Sequence, residues 1–258
     1  MDVLQKTGLN FTVLMEELLV FIAVGFIAQF IDGTIGMAYG ISTNTFLLSI
    51  GISPVQASAS IHIAEVATTF ISGITHYGFG NVDTALVKKL IIPGVVGAVV
   101  GALLLVNLPV QVMRLAVGVY LMAMGGIILW KAIRKRKEEP VQHRVIPLGF
   151  FGGFFDASGG GGWGTIVASS LVARGSVPRL AVGTVNVAEF FVALTTSLTF
   201  IVALPVINWQ IILGLALGGI LAAPLAAYVA RMIPARRFMV LIAAAIILLS
   251  GYTLWQLL

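Results

Sequence analysis

The chain has 258 residues, 59% of them hydrophobic and 10% charged, with a mean hydropathy of +1.06. A soluble domain carries about 25% charged residues, so this composition specifies a polytopic membrane protein and excludes soluble enzymes and binding modules. The formal charge of +5 belongs to short basic loops between spans rather than to a nucleic-acid surface, and a chain without cysteine has no thiol redox chemistry, disulfide or cysteine metal site.

In chain order, an N-terminal tail (1–17) leads into a first set of apolar segments (18–131). The tail ends in Glu16 and Glu17 rather than a basic segment, which argues for a retained span and against a signal peptide. Two short arms, 18–31 and 36–50, flank the break "DGTIG", and long segments follow at 54–77, 84–106 and 110–131. A basic linker (132–145) separates these from a second set (146–257): arms 146–155 and 163–173 flanking "DASGGGGWG", then long segments at 178–203, 208–230 and 235–257. Arms of about ten to fifteen residues reach roughly 15–22 Å, against about 30 Å of hydrocarbon. Each arm pair therefore reads as a hairpin that enters the bilayer and turns back.

The two sets are copies. A shift of 124 positions places Gly36 on Gly160, Asp32 on Asp156, Tyr39 on Trp163, Gly40 on Gly164, Pro54 on Pro178 and Glu65 on Glu189. After one inserted residue, Pro109 meets Pro234 and Trp130 meets Trp255. If each arm pair returns to its starting side, every repeat makes an odd number of crossings. One side then collects thirteen basic residues, from Lys88 and Lys89 through Arg134–Lys137 to Arg236 and Arg237, and the other only Lys6 and Arg114. Positive-inside bias selects this arrangement. It sets the linker in the cytoplasm, both termini outside, and the two repeats in opposite orientations in a bacterial inner membrane or its equivalent. The fold expected is an all-α membrane protein of two inverted-topology repeats. Each repeat is a short helical hairpin with a Gly-rich break plus three transmembrane helices, and the two tips approach each other at the midplane.

Irregular backbone at that depth is tolerated only when buried in protein or lining a cavity, and helix N-termini suit anions. The expected anion donors are the amides of Gly33, Thr34, Ile35 and Gly36 in one tip and of Ser158, Gly159, Gly160 and Gly161 in the other, with the hydroxyls of Thr34, Ser158 and Thr165. The bland alternative is that these glycines only pack the tips closely. Asp32 and Asp156 read as N-caps of the helices that follow, with coupling or gating as the other role. Glu65 and Glu189 lie eleven residues into helices begun by Pro54 and Pro178, about 16 Å deep. Ionisable groups there are functional candidates. Ser58, His62, Glu65, Thr69, Ser72 and His76 recur at spacings of four and three as one polar stripe, and Asn186 and Glu189 stand at the matching places of the second copy. The two Glu are proton-carrying candidates with His62 as relay, or else an interhelical hydrogen-bonded pair. Gly94, Ala98 and Ala102 with Gly97 and Gly101, matched by Gly214, Gly218 and Ala222, give small-residue faces for close packing. Asp83 reads as a helix cap, Trp130 and Trp255 as interfacial anchors, and His143 as a linker residue of no specific role.

The openings "GFIAQFIDGTIGMAYG" and "GFFGGFFDASGGGGWG", the Pro-started helices after them, the "GNVD" of the first half and the basic central loop resemble the TauE/SafE family of sulfite exporters over about residues 20–256. That resemblance implies export or uptake of a small inorganic or organic sulfur anion such as sulfite or an organosulfonate, with proton coupling and no cofactor. Oligomeric state is left open. The alternatives are a passive anion channel and an intramembrane aspartyl enzyme using Asp32 and Asp156.

Overall fold

A computed structural model describes residues 11–133, 145–173, 176–230 and 235–256. The described residues form ten helices: α1 (Phe11–Ile35), α2 (Tyr39–Ser49), α3 (Pro54–Gly78), α4 (Thr84–Asn107), α5 (Val110–Ile133), α6 (Val145–Gly159), α7 (Trp163–Ala173), α8 (Pro178–Ala203), α9 (Trp209–Val229) and α10 (Ala235–Trp255). Five stretches are long and apolar enough to cross a membrane, within α1, α4, α5, α8 and α9. Most of the linker, with His143, lies outside the described residues.

Local chemistry sets the helix starts. Pro54 and Pro178 open α3 and α8, where a missing N–H costs nothing. Asp83 Oδ1 accepts from the amides of Ala85 and Leu86 at 3.0 and 3.1 Å and caps α4, and Asn208 does the same for α9. The expectation of a short first arm at 18–31 is corrected: α1 has 25 residues, about 37 Å of helix. The helix carries through Asp32 and Gly33, because continuing the turn pairs backbone groups that hydrocarbon would leave unpaired. The break falls instead at Gly36, with φ 71°. The arms α2 and α7, of 11 residues each, are short.

Helices pair across the halves rather than within them. α1 lies along α9 and α6 along α4; α3 packs on both α8 and α9, α8 on both α3 and α4, and α5 on α10. Exchanging the halves maps this set of partnerships onto itself. The small-residue faces make the closest approaches: a Cβ at Gly25 would meet Leu215 Cα at 2.7 Å and one at Gly33 the Ala226 Cβ at 2.7 Å, so α1 and α9 run the same way. Gly97 and Gly101 lie against the backbone of Phe150 and Phe154, so α4 and α6 also run the same way. The counterparts α3 and α8 run in opposite directions, with Phe70 against Phe190 (ring centroids 5.5 Å) and the Asp83 amide on Thr184 Oγ1 (2.9 Å). So do α5 and α10, where Gly118 faces Leu254 and Gly125 faces Ile247.

Gly97→Val should lower the thermal midpoint of the purified protein by the equivalent of about 1–3 kcal/mol, the usual penalty for overpacking. Gly126 is helical and exposed with open space around it, so Gly126→Ala should be neutral or stabilise by up to about 1 kcal/mol. Thermal unfolding of the two variants in one detergent checks the contrast.

Candidate functional site

The hairpin tips meet. Asp32 to Ile41 are all buried, and so are Asp156 to Thr165 apart from half-buried Ser158. Gly36 and Gly160 hold nearly the same left-handed conformation (φ 71° and 70°), as the duplication requires. Contact between the tips is backbone on backbone. A Cβ on Gly40 would sit 2.6 Å from Gly161 Cα and 3.2 Å from Gly160 O, and one on Gly164 would sit 2.9 Å from Met37 Cα. The equivalent of Gly162 in the first tip is Ala38, which keeps a positive φ of 88° although it carries a side chain.

Each tip is tied by its own aspartate. Asp156 Oδ1 accepts the Trp163 amide at 2.9 Å, and the Asp32 carboxyl takes the matching bond from the Tyr39 amide. Both bonds reach seven residues forward to the first residue of the next helix, α7 or α2. Thus the carboxylates cap the arms, at a longer reach than an ordinary N-cap.

The donor set expected from the sequence is changed. Gly33, Thr34 and Ile35 end α1, and Ser158 and Gly159 end α6, so their amides belong to helical turns. The amides of Gly36 and Gly161 close those helices on the carbonyls of Asp32 and Asp156. The Thr34 and Ser158 hydroxyls donate to Phe30 O and Phe154 O, four residues back. These stretches are C-terminal turns of helices, not the N-termini the sequence suggests. Amides without a partner in their own helix fall a few residues later, at Gly40 and Ile41 opening α2 and at Gly164 opening α7, where the tips touch.

α3 supplies the side chains that hold both tips, and its stripe of Ser58, His62, Glu65, Thr69, Ser72 and His76 is buried throughout. Ser58 Oγ donates to Ala157 O at 2.9 Å, and His76 Nε2 donates to Gly33 O at 3.2 Å. Ala157 and Gly33 are equivalent positions. His62 Nε2 lies 3.1 Å from Asp156 Oδ2 and 3.9 Å from Glu65 Oε2. Asn186, the counterpart of His62, accepts from Ser72 Oγ at 2.7 Å and donates to Val182 O at 3.1 Å. Asp32, Glu65, Asp156 and Glu189 lie within electrostatic range of one another. One Glu65 oxygen and one Glu189 oxygen are buried without a hydrogen bond. His62, Glu65 and Asp156 are also spaced to take a cation between them, their donor atoms lying within 4.8 Å.

Two further residues escaped the sequence reading. Asn44 Nδ2 donates to Gly159 O at 2.6 Å, and the Tyr120 hydroxyl donates to Gly161 O at 2.8 Å. Tyr120 is a lone polar group on a largely apolar helix and Asn44 one of the polar run 42–45, weak signals that buried polar satisfaction alone would pick out.

An all-helical membrane protein with two broken hairpins meeting over buried ionisable groups is built as a transporter. The chain matches the family model "Sulfite exporter TauE/SafE" over residues 21–253, and it belongs to that family. It is 41% identical over 250 residues, 93% of this chain and 83% of the relative, to the "Probable membrane transporter protein YtnM" of Bacillus subtilis (strain 168). No solved structure matches it. The protein is a membrane transporter and not an enzyme, which removes the aspartyl-enzyme alternative.

Asp32→Ala should lower stability by about 1 kcal/mol through the lost cap, while Asp32→Asn, which can still accept the Tyr39 amide, should cost a few tenths at about the same precision. Ala38→Gly should gain up to about 1 kcal/mol by relieving the positive φ. Thermal denaturation of the three variants ranks them.

Proposed function

We propose that this transporter moves a small sulfur-containing anion, such as sulfite or an organosulfonate, coupled to protons, through a site where its two hairpin tips meet at the bilayer midplane. The observation that carries the reading is the backbone contact of the tips, Gly40 against Gly161 and Gly164 against Met37. It sets the first-turn amides of Gly40, Ile41 and Gly164 at one place, where the tips touch. Amide dipoles recognise an oxyanion without a fixed cation and release it readily. The family's description as sulfite exporter supports the substrate class.

The two repeats are inverted in this reading. Counterpart helices that touch while running in opposite directions, α3 with α8 and α5 with α10, are what an axis in the membrane plane produces. The charge split then puts the linker in the cytoplasm and both termini outside, in a bacterial inner membrane. Glu65, Glu189 and the two aspartates are the groups through which protons couple.

Thermal-shift screening of purified protein against sulfite, sulfoacetate, taurine, sulfate and short carboxylates tests the substrate class. A ligand at a hundred times its Kd adds about 2.7 kcal/mol to the folded state, so a sulfur oxyanion should raise the midpoint by several degrees. No response to any sulfur anion sinks the reading. Gly161 has φ 137° and lies on the Gly40 backbone; Gly161→Val should abolish sulfite flux in proteoliposomes while leaving membrane insertion intact. The channel alternative predicts sulfite flux indifferent to an imposed pH gradient in wild type and Glu65→Gln alike, and a gradient-dependent wild type excludes it.

A further inference from the structure

His62 sits on the first repeat and Asp156 on the second, and the chemistry between them does not close without an added cation. His62 Nδ1 lies 2.7 Å from Ser58 O. A carbonyl only accepts, so Nδ1 carries a hydrogen and donates. Ser58 Oγ, 3.3 Å from the same nitrogen, is itself directed at Ala157 O. With Nδ1 committed, a neutral ring presents a bare Nε2 lone pair. That lone pair faces Asp156 Oδ2 at 3.1 Å, and an ionised carboxylate has only lone pairs to offer in return. Both side chains are buried, at 0% and 1% exposure, so no bulk water separates the two acceptors.

We propose that His62 and Asp156 hold one proton between the two repeats, and that this proton is the coupling ion of the transport cycle. The inference deepens the proton coupling of the proposed function, and its role in transport rests on that reading. With the proton present, the Nε2–Oδ2 contact is a charge-assisted hydrogen bond that ties the second tip to α3. Without it, two acceptors face each other at 3.1 Å and the tip is pushed away. Asp156 Oδ1 holds the first amide of α7, so displacing this carboxylate displaces the arm whose amides face the anion. The titratable groups around the pair are Glu65 on α3, Asp32 on α1, Glu189 on α8, Tyr39 on α2 and Tyr120 on α5.

The acceptor for the departing proton is Glu65. Its Oε2 is 3.9 Å from His62 Nε2 and has no hydrogen bond. Transfer leaves a neutral imidazole and a carboxylic acid, so charge and proton are conserved within α3. At the place equivalent to His62 the second repeat has Asn186, which cannot bind a proton. The His–Asp device is therefore single.

The experiment compares wild type, His62→Gln and Asp156→Asn as purified full-length protein without substrate, by thermal midpoint from pH 6 to pH 9, with and without EDTA. In either variant an amide donates where the shared proton stood. The folded wild type retains a proton that the unfolded chain gives up, so its stability falls as pH rises. Its midpoint should drop by at least about 3 °C more across the range than that of either variant, in which the buried carboxyls Glu65, Glu189 and Asp32 still respond to pH. A drop as large in both variants as in wild type overturns the pair. Loss of midpoint on adding EDTA in wild type alone makes the bridging ion a metal and overturns the proton. A smaller drop in the variants together with no sulfur-anion flux in wild type leaves the proton site standing and sinks the transport reading. With flux present, His62→Gln should abolish anion-driven proton movement into proteoliposomes, and proton movement at the wild-type ratio refutes the coupling role.

Discussion

A peptide chain that stops being helical in hydrocarbon leaves amides and carbonyls that only protein can satisfy, and the rest of this structure follows from that constraint. Two such stops exist, at Gly36 and Gly160. Each is answered by an aspartate capping the arm ahead and by α3 side chains reaching the carbonyls of Gly33 and Ala157. Asn44 and Tyr120 take Gly159 and Gly161. The glycine faces that press α1 on α9 and α4 on α6 bring these partners within reach. Side chains of the first half satisfy the second hairpin as well as their own, so the second repeat depends on the first.

Duplication fixed the geometry, and later divergence made the chemistry unequal. Ser58, His62 and His76 on α3 have Val182, Asn186 and Phe200 as counterparts on α8. The first repeat therefore reaches both tips with side chains. The second answers with a backbone carbonyl for the Trp163 indole, Val185 O at 3.2 Å, and with the Phe200 ring 6.2 Å from His62. Glu65 and Glu189 remain a matched pair at the centre. The four acids keep the symmetry, while the side chains that reach the equivalent carbonyls of Gly33 and Ala157 do not.

Much of this was legible in the sequence. Apolar segment lengths, proline starts and the Asp83 cap located most helices to within a few residues, because each rests on local rules. The repeat located the tips, since glycine with positive φ and an acid seven residues before a helix recur in register. The Glu65 stripe was readable as a helical period of polar residues. The extent of α1 was not. Treating Asp32 as a stop ignored that a helix C-terminus in lipid gains from each added turn, and the same error assigned anion donors to amides that helix ends already use. Nor were Asn44 and Tyr120 visible, because their value lies in partners 115 and 41 residues away.

Charge counting joins the two parts of the proposed mechanism. Four carboxyl groups surround the place where the amides converge, and the cationic partner in this cluster, among the described residues, is His62. Each ionised carboxylate about 4 Å from a unit anion opposes it by roughly 4 kcal/mol at an effective dielectric near 20, so several together outweigh amide hydrogen bonds to a charged group at about 1.5–3 kcal/mol each. An anion therefore enters only when the carboxyl cluster is largely neutralised, and protons are what the named residues can take up. On this view proton coupling is not a feature added to an anion pathway. It is the condition under which an acidic, glycine-lined site accepts an anion at all, and the acids beside the tips, unhelpful to an anion at first sight, are what make release as well as binding depend on the proton.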